Sequence, residues 1–261
     1  MATIREPAVA GLFYPADPAT LRAEVEAFLA AAHSDLPAPK AIIAPHAGYV
    51  YSGAIAASAY ARLANARDSI HRVVLLGPSH RVPFYGLAVS GASALRTPLG
   101  LLPVDTNAVA LLTKLPQVKL LDEAHRLEHS LEVQLPFLQC TLKNFTVVPI
   151  VVGECSAADV SAVIDMLWDG AETVFVISSD LSHYQDYATA QRMDGATSAA
   201  IERLDGKAIS YDQACGRNPI LGLLQSTHSH GLHAKTIDLR NSGDTAGPRD
   251  QVVGYGAYVF Q

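Results

Sequence analysis

A chain of 261 residues, 49% of them hydrophobic, can bury a large core without disulfide staples. Its formal net charge of −6 provides no basic field, which argues against nucleic acid and anionic membranes as partners. No apolar stretch is long enough to span a bilayer, and the short N-terminal one is broken by Pro15. Three cysteines, an odd number, and no export signal favour reduced thiols, so we expect a cytoplasmic protein. The length predicts a single domain over 1–261.

Helical and strand patterns alternate along the chain, as in α/β folds. Asp17 and Pro18 predict one helix N-terminus, and Ser156 begins a Ser-x-x-Asp capping pattern at another. Helices are expected over 16–32, 52–66, 106–115 with Thr106 as cap, 122–139, 156–168, 187–204 and 218–225. Strands are expected over 41–44, 73–76, 84–91, 100–104, 145–152, 173–177, 235–239 and 252–260. We predict a central mixed, largely parallel sheet flanked by helices, with 84–91 and 100–104 antiparallel at an edge.

Histidines follow the ends of the predicted apolar strands. His46 follows the first strand, His80 follows the second, and Asp180 and His183 follow the strand 173–177. Ligands of open α/β sheets bind outside the carboxyl ends of the strands, so parallel neighbours would bring these side chains together. Because neutral imidazole is the commonest transition-metal ligand, we predict that His46 and His80 lie within a few ångströms of each other at a metal site.

Each of these residues also has a plain structural interpretation. Taken alone, His46 or His80 is a hydrogen-bonded loop histidine, and Ser179 or Asp180 is a helix N-cap with His183 exposed. The recurrence of histidine at equivalent strand ends favours a site instead. If the turn after 173–177 is helical, Asp180 and His183 share a face as an acid/base pair, in which His183 is the better proton-transfer group.

The segment 122–139 contains further candidates. His125 and His129 are four residues apart, but Arg126 stands where a zincin motif needs glutamate, which excludes that protease site. Glu128 and His129 remain candidates for contacting the metal ligands or the substrate. The histidines of the string THSHGLH are expected in a solvated loop, and we predict no metal ligation by His125, His228, His230 or His233.

Cys215 lies just ahead of the expected helix 218–225. A helix N-terminus and the nearby Arg217 both favour a thiolate, the form that binds metals and acts as a nucleophile. The alternative is a small buried hydrophobic residue, which also suits Cys140 and Cys155.

Six strings together resemble the Memo family. They are REPAVAG at 5–11 with FYP at 13–15, PHAGYVYSG at 45–53, LGPSH at 76–80, EHSLEVQLPF at 128–137, SSDLSH at 178–183 and CGRNPI at 215–220. They occur in order over nearly the whole chain, and their combination is highly specific. The resemblance implies the fold of the class III extradiol dioxygenases, an α/β core with a non-haem metal pocket.

The same resemblance implies that His46, His80 and Cys215 occupy the metal-ligand positions, with Asp180 and His183 beside them. A cysteine then stands where the dioxygenases have a carboxylate, which departs from the ring-cleaving site. Iron or copper is the implied metal, and zinc also suits the ligand set. Bacterial and archaeal members are often encoded with a radical-SAM protein and a further partner, the AmmeMemoRadiSam set, which implies a role in an unassigned modification pathway.

Three functions follow from these residues. The first is a mononuclear metal enzyme that oxidises an unidentified small molecule or peptide, with His183 as acid/base, Asp180 beside it, and Glu128, His129 and Arg217 in support. The second is a non-catalytic binding module whose vestigial pocket recognises a peptide or small anion. The third is a hydrolase with Cys215 as nucleophile. Metal content separates the first from the other two.

Overall fold

A computed structural model describes residues 3–168 and 170–261. The strands are β1 Ile4–Arg5, β2 Ala41–Ala44, β3 Arg72–Pro78, β4 Leu87–Val89, β5 Ala94–Thr97, β6 Gly100–Pro103, β7 Val118–Leu120, β8 Thr146–Val152, β9 Thr173–Ser178, β10 His183–Gln185, β11 Ala234–Asn241 and β12 Val252–Phe260. The α-helices are α1 Pro18–Ala31, α2 Tyr49–Tyr60, α3 Thr106–Leu112, α4 Asp122–Arg126, α5 Leu135–Thr141, α6 Ala157–Met166, α7 Tyr187–Glu202 and α8 Arg217–Ser229.

The main sheet has a parallel centre and antiparallel flanks. Its strand order is β10-β12-β2-β9-β3-β8-β4-β7, with β11 paired to β12. The neighbours β2-β9, β9-β3 and β3-β8 are parallel, whereas β12 and β4 run antiparallel to β2 and β8. Nearly every residue of the central strands is buried, which explains their continuous apolar sequences. The predicted single-domain α/β architecture, a mixed sheet flanked by helices, is confirmed.

Local capping chemistry sets several helix starts. Asp17 accepts a hydrogen bond from the Thr20 amide at the start of α1, and Ser156 forms a capping box with Asp159 at the start of α6, as the sequence predicts. The expected cap at Thr106 is wrong, because Asp105 fills that position and accepts from the Ala108 amide. None of the helices within 3–168 and 170–261 combines the length and apolarity needed to cross a membrane.

The continuous helix expected over 122–139 is wrong. The segment forms α4, an irregular stretch, a 3₁₀ turn at Glu132–Gln134 and then α5. Glu128 interrupts the helix because its carboxylate accepts the nearby Ser130 amide and bonds to the distant His80, so side-chain bonds replace helical ones. His125 and His129 therefore do not share a helical face.

Short strands account for the other differences. The expected strand 84–91 contracts to β4, which is antiparallel to β8 as predicted, but the edge strand is β7, which pairs in parallel with β4. The strand expected over 100–104 instead pairs with the unpredicted β5, and these two form a separate small sheet with β1. The helix expected over 52–66 begins earlier as α2 and ends in a 3₁₀ segment at Ala61–Ala66. Strands of two to four residues bury too little apolar surface to leave a clear sequence pattern.

Candidate metal centre

Three neighbouring parallel strands deliver the central residues of the site. His46, His80 and Asp180 each stand two positions beyond the last residue of β2, β3 and β9. The imidazole ring centroids of His46 and His80 are 5.2 Å apart, as predicted from their strand-end positions. Cys215 reaches the same place from the turn before α8, with its Sγ 3.3 Å from His46 Nε2. One ligand atom each from His46, His80 and Cys215 lie within 4.8 Å of one another.

A buried hydrogen-bond network orients the His46 imidazole. The Ser178 hydroxyl donates to the Ser130 carbonyl at 2.6 Å and accepts from Gln134 Nε2 at 2.8 Å. Its proton is therefore already used, so His46 Nδ1, 2.8 Å from Ser178 Oγ, must be the donor of that bond. This assignment leaves Nε2 of the neutral ring with a free lone pair beside the Cys215 sulfur.

Burial keeps His46 neutral. Loss of hydration lowers its pKa well below the usual range, and nearby His80 and His129 lower it further. A neutral imidazole with a fixed tautomer and an unprotonated nitrogen facing a thiol is the form that a transition metal requires.

Glu128 orients the second histidine. Its buried carboxylate accepts from the His80 backbone amide at 2.6 Å and from His80 Nδ1 at 2.9 Å, which leaves His80 Nε2 available. Burial by itself would raise the pKa of Glu128, but the hydrogen bonds from His80 and Ser130 and the His80 charge outweigh it and lower the pKa to about 2. Glu128 is therefore ionised at all moderate pH values.

The ionisation of Glu128 should appear in the pH dependence of the free energy of unfolding in acid. A folded-state pKa of about 2 against an ordinary 4.5 gives stability that is present above pH 4.5 and lost as the pH falls toward 2, roughly 3 kcal/mol in total. We expect Glu128→Gln to flatten the pH dependence of the free energy of unfolding in that window, measured by urea titration of metal-free protein. The exposed Glu26→Gln is the control, and equal pH profiles for the two variants would contradict the assignment.

His129 completes a cluster of three imidazoles. Its ring stacks on His80 with centroids 4.7 Å apart and meets His46 edge-on at 5.5 Å. Burial lowers the pKa of His129, and its buried Nδ1 has no hydrogen-bond partner among the described residues, although Glu128 Oε1 lies 3.4 Å away. His80, Glu128 and His129 form a second group of adjacent ligand atoms.

Asp180 and His183 are not paired on a helix. β9 is followed by a non-helical turn and then by β10, so the expectations of a shared helical face and of an N-cap at Ser179 or Asp180 are both wrong. Asp180 Oδ1 instead accepts the His46 amide at 2.7 Å, and burial raises the pKa of Asp180. His183 begins β10, where its Nδ1 donates to the Leu181 carbonyl at 2.8 Å and leaves Nε2 as an acceptor.

The Cys215 thiol is protonated in the metal-free protein, contrary to the expected thiolate. Burial and then the neighbouring Asp180 carboxyl raise the pKa of Cys215. Arg217 does not offset them, because its Nε donates to the Ile209 carbonyl and its guanidinium lies 4.5 Å from the Tyr211 ring centroid. A buried thiol with a raised pKa, beside an imidazole of lowered basicity, is a poor hydrolytic nucleophile.

An open cavity of about 640 Å³ adjoins the histidines, a size typical of small-molecule sites. The site residues that line it are His46, His80, His129, Asp180 and His183. The cation Arg81 and four aromatic residues also line it; the aromatic residues are Phe13, Tyr51, Tyr184 and Tyr255. Cys215 and Arg217 instead line a smaller cavity of about 200 Å³ on another side of the centre.

Three organising residues were not assigned from the sequence. Gln134 and Ser178 hold His46, and Glu132 accepts bonds from Arg5, Tyr14 and the amides of Ala8 and Val9, which places Phe13 against the His129 ring at 4.8 Å. They stand in strings that carried the resemblance, EHSLEVQLPF and SSDLSH, so the signal was present. The roles of these three residues could not be predicted from the strings, because each residue bonds to a segment that is distant in the sequence.

The other histidines lie apart from the centre. His125 is buried, bonds to the Ala88 carbonyl at 3.0 Å, and has its pKa lowered to about 4 by burial. His230 stacks on Trp168 with ring centroids 4.0 Å apart. Among the described residues, no group of adjacent ligand atoms includes His125, His228, His230 or His233.

Comparison with known proteins identifies the family of the chain. A family model described as Memo-like protein matches residues 5–259. The chain belongs to the Memo family. MEMO1 family proteins of Aquifex aeolicus and Archaeoglobus fulgidus are each 36% identical to it, covering 98% and 99% of this chain and 99% and 100% of theirs. The Aeropyrum pernix member is 37% identical over 97% of this chain and 98% of its own.

The fold is also found in a solved structure. An uncharacterized protein from Escherichia coli K12 superposes with a TM-score of 0.53 at 14% sequence identity, over 84% of this chain and 98% of that one. This likeness concerns the fold alone.

Proposed function

We propose that this Memo-family chain is a mononuclear metal protein and that it carries out oxidoreductase chemistry on a small molecule or peptide in the adjoining cavity. The observation that supports it is the convergence of His46 Nε2, His80 and Cys215 Sγ within 4.8 Å of one another. Both histidines direct their Nδ1–H to a structural acceptor, so both Nε2 lone pairs remain free for a metal.

The chemistry of these donors fits a transition metal. Two imidazoles and one thiolate favour iron or copper, and also suit zinc, over metals that prefer oxygen ligands. Bound iron or copper would supply electron transfer and Lewis acidity to a substrate in the cavity. His183 Nε2, as a free acceptor at the cavity wall, accepts a proton from the substrate, while Asp180 fixes the His46 backbone.

The compartment and the pathway are part of the same proposal. The three cysteines are free thiols, which suits a reducing compartment such as the cytoplasm. The family resemblance further favours a role beside radical-SAM pathway proteins, and the acidic net charge argues against nucleic acid and membranes as partners.

A non-catalytic binding module is the second candidate. The size of the cavity, its aromatic wall and the Arg81 cation support recognition of a peptide or small anion without any metal. Metal analysis of protein purified without chelators or added metal separates the two functions. We expect stoichiometric metal in the unchanged chain and in His228→Ala, and its loss in a folded His46→Ala variant; metal-free protein in all three would favour the binding module.

His183→Ala tests the proton-transfer role. Because His183 lies at the cavity wall outside the three-ligand group, the variant should keep its metal and show altered azide affinity at the metal, followed by absorption spectroscopy. Loss of metal in this variant would show that His183 is a ligand. Unchanged azide affinity and unchanged metal would show that it does not act in the cavity.

A further inference from the structure

A second large cavity, separate from the one beside the histidines, lies between α8 and the turn that follows α7. It has a volume of about 620 Å³ and is bordered by 203–207, by the start of α6 and by one face of α8. The turn contains Leu204 with φ +56°, a left-handed conformation that residues with a side chain rarely adopt. None of the residues that hold His46 or His80 lines this cavity.

Its charge is opposite to that of the protein. Arg203, Lys207 and Arg217 line it against a single carboxylate, Asp205, although the whole chain has a net charge of −6. The side chains of Arg203, Lys207 and the adjacent His228 form no ion pair or hydrogen bond with the described residues, so their donors are available to a ligand. Arg203, Lys207 and His228 are exposed to solvent at the cavity, and their clustered positive charge attracts an anion.

The remaining wall is apolar. Leu204, Leu221 and Leu224 lie beside the cationic side chains. Arginine and lysine recognise phosphate through charge-assisted hydrogen bonds, and an apolar wall accommodates an attached organic group. The volume falls within the range of small-molecule sites.

We propose that this cavity binds a small organic phosphate. Arg203 and Lys207 bind the phosphate oxygens, and the three leucines contact the organic portion. Arg217 also borders the smaller cavity at Cys215, so the ligand would lie near the metal centre but outside it.

Inorganic pyrophosphate is the probe, titrated by calorimetry into the metal-free full chain at low and moderate salt. We expect saturable binding that weakens at least about tenfold in Arg203→Gln/Lys207→Gln, because each lost charge-assisted bond contributes more than 1 kcal/mol. The charge-matched control is Lys114→Gln/Lys119→Gln, whose two exposed lysines lie outside the cavity and should leave the affinity unchanged.

Three results would overturn the proposal. The first is equal loss in the two double variants, which would indicate non-specific attraction. The second is loss in Arg81→Gln with none in Arg203→Gln/Lys207→Gln, which would move the anion to the histidine cavity. The third is sedimentation with phosphatidylserine vesicles without pyrophosphate binding, which would identify a lipid surface as the source of phosphate.

Discussion

Replacing Cys215 with serine should weaken copper(I) binding by more than the roughly 10–100-fold that loss of an outer hydrogen-bond partner costs. The thiolate is the soft donor among the three candidate ligands, and a serine hydroxyl does not replace it for copper(I). Competition against a copper(I) chelator measures the affinity. Cys140→Ser and Cys155→Ser are matched controls, since both thiols are free, partly buried and absent from the ligand group.

The raised pKa of Cys215 adds a pH signature to this experiment. The metal-free protein holds a thiol, so metal binding must release its proton, and the apparent affinity should increase about tenfold per pH unit from this group. Alkylation of Cys215 should be slow in metal-free protein and slower still when metal is bound. Equal alkylation rates in both forms, with unchanged copper affinity in Cys215→Ser, would show that Cys215 is a packed side chain and not a metal ligand.

Ser178→Ala should lower metal affinity by roughly 10–100-fold without removing a ligand. The alanine deprives His46 Nδ1–H of its acceptor, so the proton is free to move to Nε2 and block the atom that faces Cys215. Nitrogen chemical shifts of the His46 imidazole report the tautomer directly, and chelator competition reports the affinity.

The control for this variant is Ser226→Ala. Ser226 is also fully buried and hydrogen-bonded, to Ser161, but in the contact between α6 and α8. Both substitutions should destabilise the fold by about 1–3 kcal/mol, and only Ser178→Ala should change the tautomer. Unchanged nitrogen chemical shifts of His46 together with unchanged metal affinity would show that Ser178 does not control the His46 tautomer.

Local sequence patterns were sufficient to predict the central strands and helix α1. Buried parallel strands read as short runs of Val, Ile and Leu, and helix α1 is marked by Asp17 and Pro18, because these signals depend on neighbours in the sequence. Strand direction then placed His46 and His80 at one sheet edge, since the carboxyl ends of parallel strands coincide.

The same patterns failed where distant groups compete with local preference. The apolar spacing of 122–139 is helical, but Glu128 bonds to His80 and Glu132 bonds to the N-terminal segment, and these contacts break the helix. The turn after β9 is likewise extended, because Asp180 accepts the His46 amide from the neighbouring strand end.

The sequence by itself therefore determined the central strands, their parallel direction and the identity of the residues at their carboxyl ends. Only the tertiary structure decided the chemical state of those residues. Ser178 and Gln134 select the His46 tautomer, Glu128 orients His80, and burial keeps the Cys215 thiol protonated. Tautomers and pKa values depend on desolvation and on hydrogen-bond partners 44 to 132 residues away, which no local pattern encodes.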